Sequence, residues 1–414
     1  MARLSLDPAR LTAATAGLVA VDAARAARYP GDPGTRQPVH TCYVPADKVD
    51  AGTPAAWGAE ALAALDEHAP TPGVLASVLD LPDELAEPVL ARVRDKLATE
   101  PVEDLRVDFE DGYGTRAQDV EDADALRAAD LLRAWGLGSA GIRVKSFDTS
   151  ALLDRGLRTL DLVLTAAGGP PPGFALTFPK VTAPEQVEAL VAVLALLEAA
   201  LGLDARALRF EVQIETTQAV IDAEGRFTVP RLITAGAGRV TGLHFGTYDY
   251  TAACGLGAGD QHLAHAACDF ARHAMQVGSA GTGVRLSDGS SNRLPVGSRE
   301  TVHGNWRVHH DLVRRSLRHG FFQGWDLHPA QLVTRYAAVY AHYLSSAAAD
   351  GQRLAAYVAR GSGSAVLDEP ATAAALALSL RRSVDCGALT AAEVTDHCGL
   401  DVAGLTALIE RRPL

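Results

Sequence analysis

The stretch RFEVQIETTQAV (residues 209–220) contains a short apolar run that stops at a carboxylate, Glu215, and leads into a helix-forming sequence. The same order recurs in VTGLHFGTYDYTAACG (residues 240–255), where the apolar run leads to Asp249. A short apolar strand followed by a helix is the repeating unit of a parallel α/β sheet. These two units therefore indicate the fold class, and further copies are expected along the chain.

Candidate strands alternate with Ala- and Leu-rich helical stretches between about residues 40 and 340. They lie at residues 40–45, 105–109, 141–145, 174–179, 209–214, 240–246, 283–287 and 324–329. Eight such units predict an α/β fold, a (β/α)8 TIM barrel, whose chemistry is sited at the carboxyl ends of the strands. The alternative is an open doubly wound sheet, which is disfavoured because no G-x-G-x-x-G follows the first strand.

The chain is expected to have two parts. We predict a barrel domain over residues 1–345, with a helical insertion at about residues 48–100, because the connection between the first two strands is far longer than usual. Beyond about residue 345 the pattern is purely helical. Residues 346–414 are therefore predicted to form a C-terminal helical extension or lid.

Composition limits the classes of partner. The 414 residues carry a formal net charge of −12, which disfavours nucleic acid and anionic membranes. The five cysteines form no CxxC motif, the first residues lack a signal-peptide core, and no apolar run is long enough to span a membrane. We expect a cytoplasmic protein that acts on a small molecule.

Two carboxylates at the ends of neighbouring strands suggest a metal site. Glu215 and Asp249 follow the fifth and sixth candidate strands, so they should face each other across one mouth of the barrel. Oxygen ligands with open positions for water or substrate suit Mg²⁺, with Mn²⁺ as an alternative. The competing interpretation is that both residues cap the helices that follow them.

Acidic and basic side chains cluster near the second and third strands. VDFEDGYG (residues 107–114) places Glu110 and Asp111 where they could accept hydrogen bonds around a metal, or simply form a solvated loop. Arg143 interrupts an apolar strand, so it must have an acidic partner, either a substrate carboxylate or an internal one such as Asp108 or Glu110.

Four further residues follow strands and are candidate substrate contacts. They are Lys180, Gly246, Thr247 and His328. Lys180 could also form a Schiff base, although metal carboxylates make one unnecessary. A histidine such as His328, before a proline that starts a helix, is more often structural. Neither the H-E-x-x-H zinc motif nor the G-x-S-x-G nucleophile motif occurs in the sequence.

These motifs, in this order, resemble the HpcH/HpaI aldolase and citrate lyase β-subunit superfamily. CYVPAD is similar to its LFVP strand, VDFEDGYG to LDLEDAV, and LTFPKV to I.LPKV. QIETTQAV resembles IETA.AV, LHFGTYDY resembles L.FG..DL, GWDLHPAQL resembles G...IHP.QI, and AVLDEP resembles the C-terminal..MID.P. The chain also departs from the pattern, since Tyr248 and Tyr250 around Asp249 resemble the GRWDY of malate synthases.

The resemblance implies a phosphoenolpyruvate/pyruvate-type barrel that depends on Mg²⁺. It implies that Glu215 and Asp249 are the metal ligands and that Arg143 binds the oxyacid. Glu110 and Asp111 are implied to lie in the layer around the metal, and Asp368 matches a C-terminal acid that some members bring over a neighbouring subunit's site. A homo-oligomer, trimeric or hexameric, is therefore expected.

The implied reaction is the making or breaking of a carbon–carbon bond beside a carboxylate. We predict a Mg²⁺-dependent lyase or aldolase that acts on a hydroxy-acid or its CoA thioester and releases or uses a 2-oxo acid through a metal-stabilised enolate. The alternatives are a malate-synthase-like Claisen enzyme, an acyl-CoA thioesterase, and a barrel that has lost catalysis and serves as an accessory subunit.

Overall fold

The computed structural model describes residues 5–359 and 369–412. Its strands are β1 (His40–Pro45), β2 (Asp104–Asp108), β3 (Ser139–Arg143), β4 (Phe174–Phe178), β5 (Phe210–Ile214), β6 (Val240–Phe245), β7 (Arg285–Ser287) and β8 (Gly324–Asp326). All belong to one sheet, in the order β7-β6-β5-β4-β3-β2-β1-β8. Each of the eight predicted strands therefore exists; the predicted limits of β1 are exact, and the ends of the others differ by a few residues.

The sheet curls into a nearly closed barrel. Every pair of neighbouring strands is parallel, and β1 pairs with both β2 and β8. The two edge strands meet through the parallel bridge between Ser287 and Gln323. The prediction of a TIM barrel is confirmed, and the alternative of an open doubly wound sheet is wrong.

Helices surround the barrel and precede and follow it. Those up to β4 are α1 (Pro8–Thr15), α2 (Leu18–Arg28), α3 (Thr53–His68), α4 (Pro72–Leu79), α5 (Asp83–Thr99), α6 (Gln118–Ala134) and α7 (Ser150–Ala167). Those between β4 and β8 are α8 (Pro184–Leu201), α9 (Thr217–Val220), α10 (Val229–Ala235), α11 (Thr247–Ala253), a 3-10 turn at Ala258–Asp260, α12 (Ala266–Ser279) and α13 (Arg299–Arg318). The last are α14 (Pro329–Val358), α15 (Pro370–Asp385), α16 (Ala391–Cys398) and α17 (Val402–Ile409).

One long helix connects the barrel to the C-terminal helices. The first part of α14 is almost entirely buried in the main hydrophobic core, while Ala347 and Leu354 in its second part pack with α15, α16 and α17 in a separate small core. The helix runs without a break across residue 345. The division of the chain at that residue remains a prediction.

The barrel interior contains a network of buried polar side chains. Glu211 accepts from Arg106 at 2.9 Å and pairs with His244 at 3.0 Å. His244 also receives a hydrogen bond from the indole of Trp325 at 3.2 Å, and Asp104 pairs with the other side of Arg106. Moving one member of this network would leave a buried charge without a partner, which costs free energy. The network therefore keeps the inward side chains in fixed positions.

All five cysteines are free. Among the described residues, no helix is both long enough and apolar enough to cross a membrane.

Candidate active site at the carboxyl ends of the strands

Arg143 and Asp108 form the rigid part of the site. They are the last residues of β3 and β2, and they lie opposite each other in the register of the two strands. The Asp108 carboxylate accepts from Nε and Nη2 of Arg143 at 2.7 and 2.8 Å, and both side chains are buried. The internal salt bridge, one of the two kinds of partner expected for Arg143, is therefore present, and it orients the remaining edge of the guanidinium.

Glu110 lies between the two cations of the site. One of its carboxylate oxygens is 3.4 Å from Nη1 of Arg143 and the other is 3.2 Å from the ammonium of Lys180. Burial, together with the charges of Asp111 and Glu215, outweighs these cations and raises the pKa of Glu110 to about 8. Because the side chain is buried, the solvated-loop interpretation is wrong for Glu110, whereas Asp111 is half exposed.

Glu215 follows β5 directly and is buried. Its two oxygens accept from the backbone N–H of Lys180 at 2.7 Å and from Nε2 of Gln213 at 2.8 Å. Capping is not its role, because Thr216 is the residue whose side chain caps the following helix, α9. Burial and the charge of Asp249 raise the pKa of Glu215 to about 7, and they outweigh the charges of Lys180 and Arg143, which lower it.

Gln213 was not among the predicted site residues, yet it connects two of them. Its amide donates to Glu215, and its carbonyl oxygen is 3.4 Å from Nη1 of Arg143. The signal was in the sequence, because residues two apart on a strand point to the same side and Gln213 precedes Glu215 by two.

Asp249 lies in a helix rather than at a strand end. β6 stops at Phe245, and Asp249 is in the first turn of α11 with its side chain half exposed. The expectation that it directly ends the sixth strand is wrong by one short turn. Its carboxylate still reaches the site, since it is 3.4 Å from the ammonium of Lys180 and its charge acts on Glu215.

Lys180 is surrounded by carboxylates. Its ammonium is 2.9 Å from Asp111, in addition to its contacts with Glu110 and Asp249. Burial would lower its pKa, but the charges of Glu215 and Glu110 raise the pKa above its usual value. A lysine that stays protonated is a poor Schiff-base nucleophile. Its backbone has a φ of +50°, and this turn directs its N–H toward Glu215.

Two aromatic rings, also missed by the sequence analysis, cover the guanidinium of Arg143. Its Cζ lies 4.8 Å from the ring centre of Tyr43 and 5.8 Å from that of Trp325. The two rings are 4.4 Å apart and tilted by 53°. Contacts of this kind favour the cation and limit its movement. Arg143 is thus held by ion pairs along one edge and by aromatic rings on its face.

Gly246 and Thr247 follow β6 beside the carboxylates. A Cβ on Gly246 would lie 2.4 Å from Cβ of Glu215, so only glycine permits the observed position of that glutamate. Thr247 is buried, and its hydroxyl has no hydrogen-bond partner among the described residues. Their roles in substrate binding remain predictions.

The other predicted residues are less closely tied to the cluster. His328 caps α14, because its Nδ1 accepts from the backbone N–H of Ala330 at 3.1 Å. Helix capping is the structural role that the sequence offered as the alternative for His328, and its contact with substrate remains a prediction. Asp368 lies outside the described residues.

Comparison with known proteins identifies the family. Residues 18–413 match the model of a family described as a domain of unknown function, DUF6986. The chain belongs to this family. No curated protein sequence matches the DUF6986 chain significantly.

Solved structures share its fold at low sequence identity. The chain is similar to the Haloferax volcanii malate synthase magnesium/glyoxylate complex, with 15% identity and a TM-score of 0.50 over 90% of this chain and 88% of that one. It is also similar to CitE from Mycobacterium tuberculosis in complex with magnesium, acetoacetate and coenzyme A, with 16% identity and a TM-score of 0.50 over 86% and 99%. The resemblance inferred from the motifs is therefore confirmed at the level of the fold.

The cluster in the DUF6986 chain has the ligand chemistry that Mg²⁺ requires. Five acidic side chains converge there beside two cations, Arg143 and Lys180; the acids are Asp108, Glu110, Asp111, Glu215 and Asp249. Hard oxygen ligands and surplus negative charge fit a divalent cation. No three Asp, Glu, His or Cys side chains within residues 5–359 and 369–412 are arranged around one metal position. If Glu215 and Asp249 held Mg²⁺, the remaining coordination positions of the ion would be taken by water and substrate, which is usual for Mg²⁺ in proteins.

Proposed function

We propose that this protein is a Mg²⁺-dependent carbon–carbon lyase or aldolase that acts on a hydroxy-acid or its CoA thioester and releases or uses a 2-oxo acid. The observation that carries the proposal is the convergence of Glu215, Asp249 and Arg143 at the carboxyl end of the barrel, where they follow β5, follow β6 and end β3. Active sites of TIM barrels lie at this end. The fold shared with CitE supports the proposal, since that protein is in complex with magnesium and acetoacetate.

Each side chain has a defined task in such a reaction. Glu215 and Asp249 would hold the metal, which when bound supplies Lewis-acid polarisation of an oxo group. Nη1 of Arg143, the edge not engaged by Asp108, would bind and orient the substrate carboxylate. With a pKa of about 8, Glu110 can hold a proton at neutral pH beside that carboxylate and donate it to the reacting group.

Condensation is the second candidate. The malate synthase in complex with magnesium and glyoxylate shares the fold to the same TM-score as CitE. Tyr248 and Tyr250 flank Asp249, as in the GRWDY motif that the sequence resembles. Release of free thiol from acetyl-CoA on addition of glyoxylate would indicate a Claisen enzyme. Release of a 2-oxo acid from hydroxy-acids or their thioesters would indicate a lyase.

The metal site is tested by neutralising Glu215. We expect Glu215→Gln to weaken Mg²⁺ binding by about a hundredfold, because one of two anionic ligands is lost while the side-chain shape is kept. Isothermal calorimetry with MgCl₂ on the full chain measures this. The same variant should abolish the release of 2-oxo acid.

A matched control separates the site from overall charge. Glu185 in the first turn of α8 is exposed, so Glu185→Gln removes the same charge without touching the cluster. Its Mg²⁺ affinity should equal that of the parent. If the parent binds no Mg²⁺, or if Glu215→Gln binds as tightly as the parent, the proposed function is wrong.

Gly246 gives a second test, based on position rather than charge. We expect Gly246→Ala to weaken Mg²⁺ binding by roughly tenfold, because the added Cβ would force Glu215 to move and Mg²⁺ tolerates little distortion. The control is Gly257→Ala, since a Cβ at Gly257 meets no atom within 4 Å. Equal affinity in both variants would show that the position of Glu215 does not matter.

A further inference from the structure

A cavity of about 310 Å³ lies at the opposite end of the barrel from the carboxylate cluster. Its walls come from the amino-terminal ends of β7 and β8, from the end of α12, and from α15. Arg285 is the first residue of β7, and Phe322 precedes β8. The cavity is therefore separate from the proposed active site, and its volume is at the lower end of the range for small-molecule sites.

Two arginines line this cavity, and neither forms an ion pair with a carboxylate in the part of the chain that the structure describes. Arg285 donates to the backbone oxygens of Arg36 and Thr35 and to the hydroxyl of Thr35, which leaves its other N–H groups unused. Arg382 packs over the ring of Phe322 at 5.2 Å, and its guanidinium makes no hydrogen bond to the described residues. Many other arginines of the chain, by contrast, have an acidic partner within 4 Å.

The two guanidinium groups also repel each other. Burial is the main cause that lowers the pKa of Arg285, and the charge of Arg382 acts in the same direction, whereas the charges of Asp32, Asp385 and Glu211 raise it. Asp32 is the one acidic residue in the cavity wall and is exposed, and its carboxylate accepts from the backbone N–H of Gly34. The cavity wall thus carries two guanidinium groups and one carboxylate, in a protein whose net charge is −12.

We propose that this cavity binds a small oxyanion, a phosphate or carboxylate group of a metabolite, between Arg285 and Arg382. Guanidinium groups recognise both kinds of oxyanion with pairs of N–H donors. The anion would remove the repulsion between the two arginines and use donors that the protein leaves free. The volume suits a ligand of a few heavy atoms rather than a nucleotide.

The cavity lies between the barrel and the C-terminal helices, so an anion bound there would contact both. Arg285 belongs to the barrel, whereas Arg382 belongs to α15, which packs in the separate C-terminal core. An anion held by both would connect the C-terminal helices to the barrel and stabilise that contact. Binding here is independent of the proposed reaction, because the two sites are at opposite ends of the strands.

The test is binding of two probes, sodium phosphate and sodium succinate, to the full chain at an ionic strength kept constant with sodium chloride. We expect at least one of them to bind by calorimetry and to raise the melting temperature by roughly 2 °C. Arg382→Gln should weaken that binding by about tenfold or more, since a charged pair of donors is lost. Which probe binds distinguishes a phosphate site from a carboxylate site.

A control variant tests whether loss of any arginine weakens binding, and a second variant tests the other arginine of the cavity. Arg307→Gln removes an exposed arginine of α13 and should bind the probe like the parent. Arg285→Gln should also lose binding, and if it does not fold, Arg382→Gln alone is decisive. The proposal is overturned if neither probe binds. It is equally overturned if Arg382→Gln binds the probe as tightly as the parent does, because the anion would then be bound elsewhere, for example at Arg143.

Discussion

The Arg143→Leu variant should be about 3–5 kcal/mol less stable than the parent and should lose 2-oxo acid release altogether. The stability is lost because Asp108 would keep its charge in a buried position without its partner. The activity is lost because the substrate carboxylate would no longer have a guanidinium to orient it. Urea denaturation measures the first effect, and the assay for 2-oxo acid measures the second.

Two further variants separate these effects. The double variant Arg143→Leu/Asp108→Asn should recover part of the stability but none of the activity, because no unpaired charge remains buried. Arg133→Leu breaks the exposed pair with Asp130 and should cost at most about 1 kcal/mol. If Arg143→Leu were as stable as Arg133→Leu, the ion pair between Arg143 and Asp108 would not contribute to the stability of the site.

Gly141→Ala should prevent the barrel from closing and leave little folded protein. The residue lies in β3 opposite Ala175 of β4, and a Cβ there would lie 1.7 Å from the backbone oxygen of Ala175. Neither backbone can move without breaking the strand pairing on which Arg143 depends. We expect a loss of at least about 4 kcal/mol, at the upper limit of single substitutions. Circular dichroism and the soluble yield of purified protein measure it.

The matched control is the glycine three residues earlier. A Cβ at Gly138 meets no atom within 4 Å, so Gly138→Ala should change stability by less than about 1 kcal/mol. A folded Gly141→Ala protein with parental stability would contradict the close approach of β3 and β4.

The elements that could be predicted are those whose signals are local. Each strand is a short apolar run that ends in polar residues, and β1 was predicted with its exact limits at His40–Pro45. Parallel barrels place all carboxyl ends on one side, so the meeting of Glu110, Arg143 and Glu215 followed from the strand assignments. The partner of Arg143 was also foreseeable, because a buried guanidinium requires an acid.

Other features depend on distances between segments far apart in the chain. The sequence pattern places Tyr43 and Trp325 in β1 and β8 and gives no sign of their partner. Only the closed barrel brings both rings beside Arg143. The sequence pattern alone could not show that Asp249 lies in a helix rather than at the strand end, because Thr247 and Tyr248, which separate it from Gly246, fit either structure. The three acidic neighbours of Lys180 come from the loop after β2 and from α11, and only the closed barrel brings them beside its ammonium.

By itself the sequence determined the type of fold, the order of its strands and the carboxylates and arginine at their ends, because apolar periodicity and polar strand ends are properties of consecutive residues. Only the tertiary structure decided how these groups pair. Asp108, rather than a substrate, holds one edge of Arg143, and Gln213 connects that arginine to Glu215. Arg285 lines one cavity together with Arg382, which belongs to a helix almost a hundred residues later. Pairing depends on distances across the barrel, and these exist only once the strands have closed around the core.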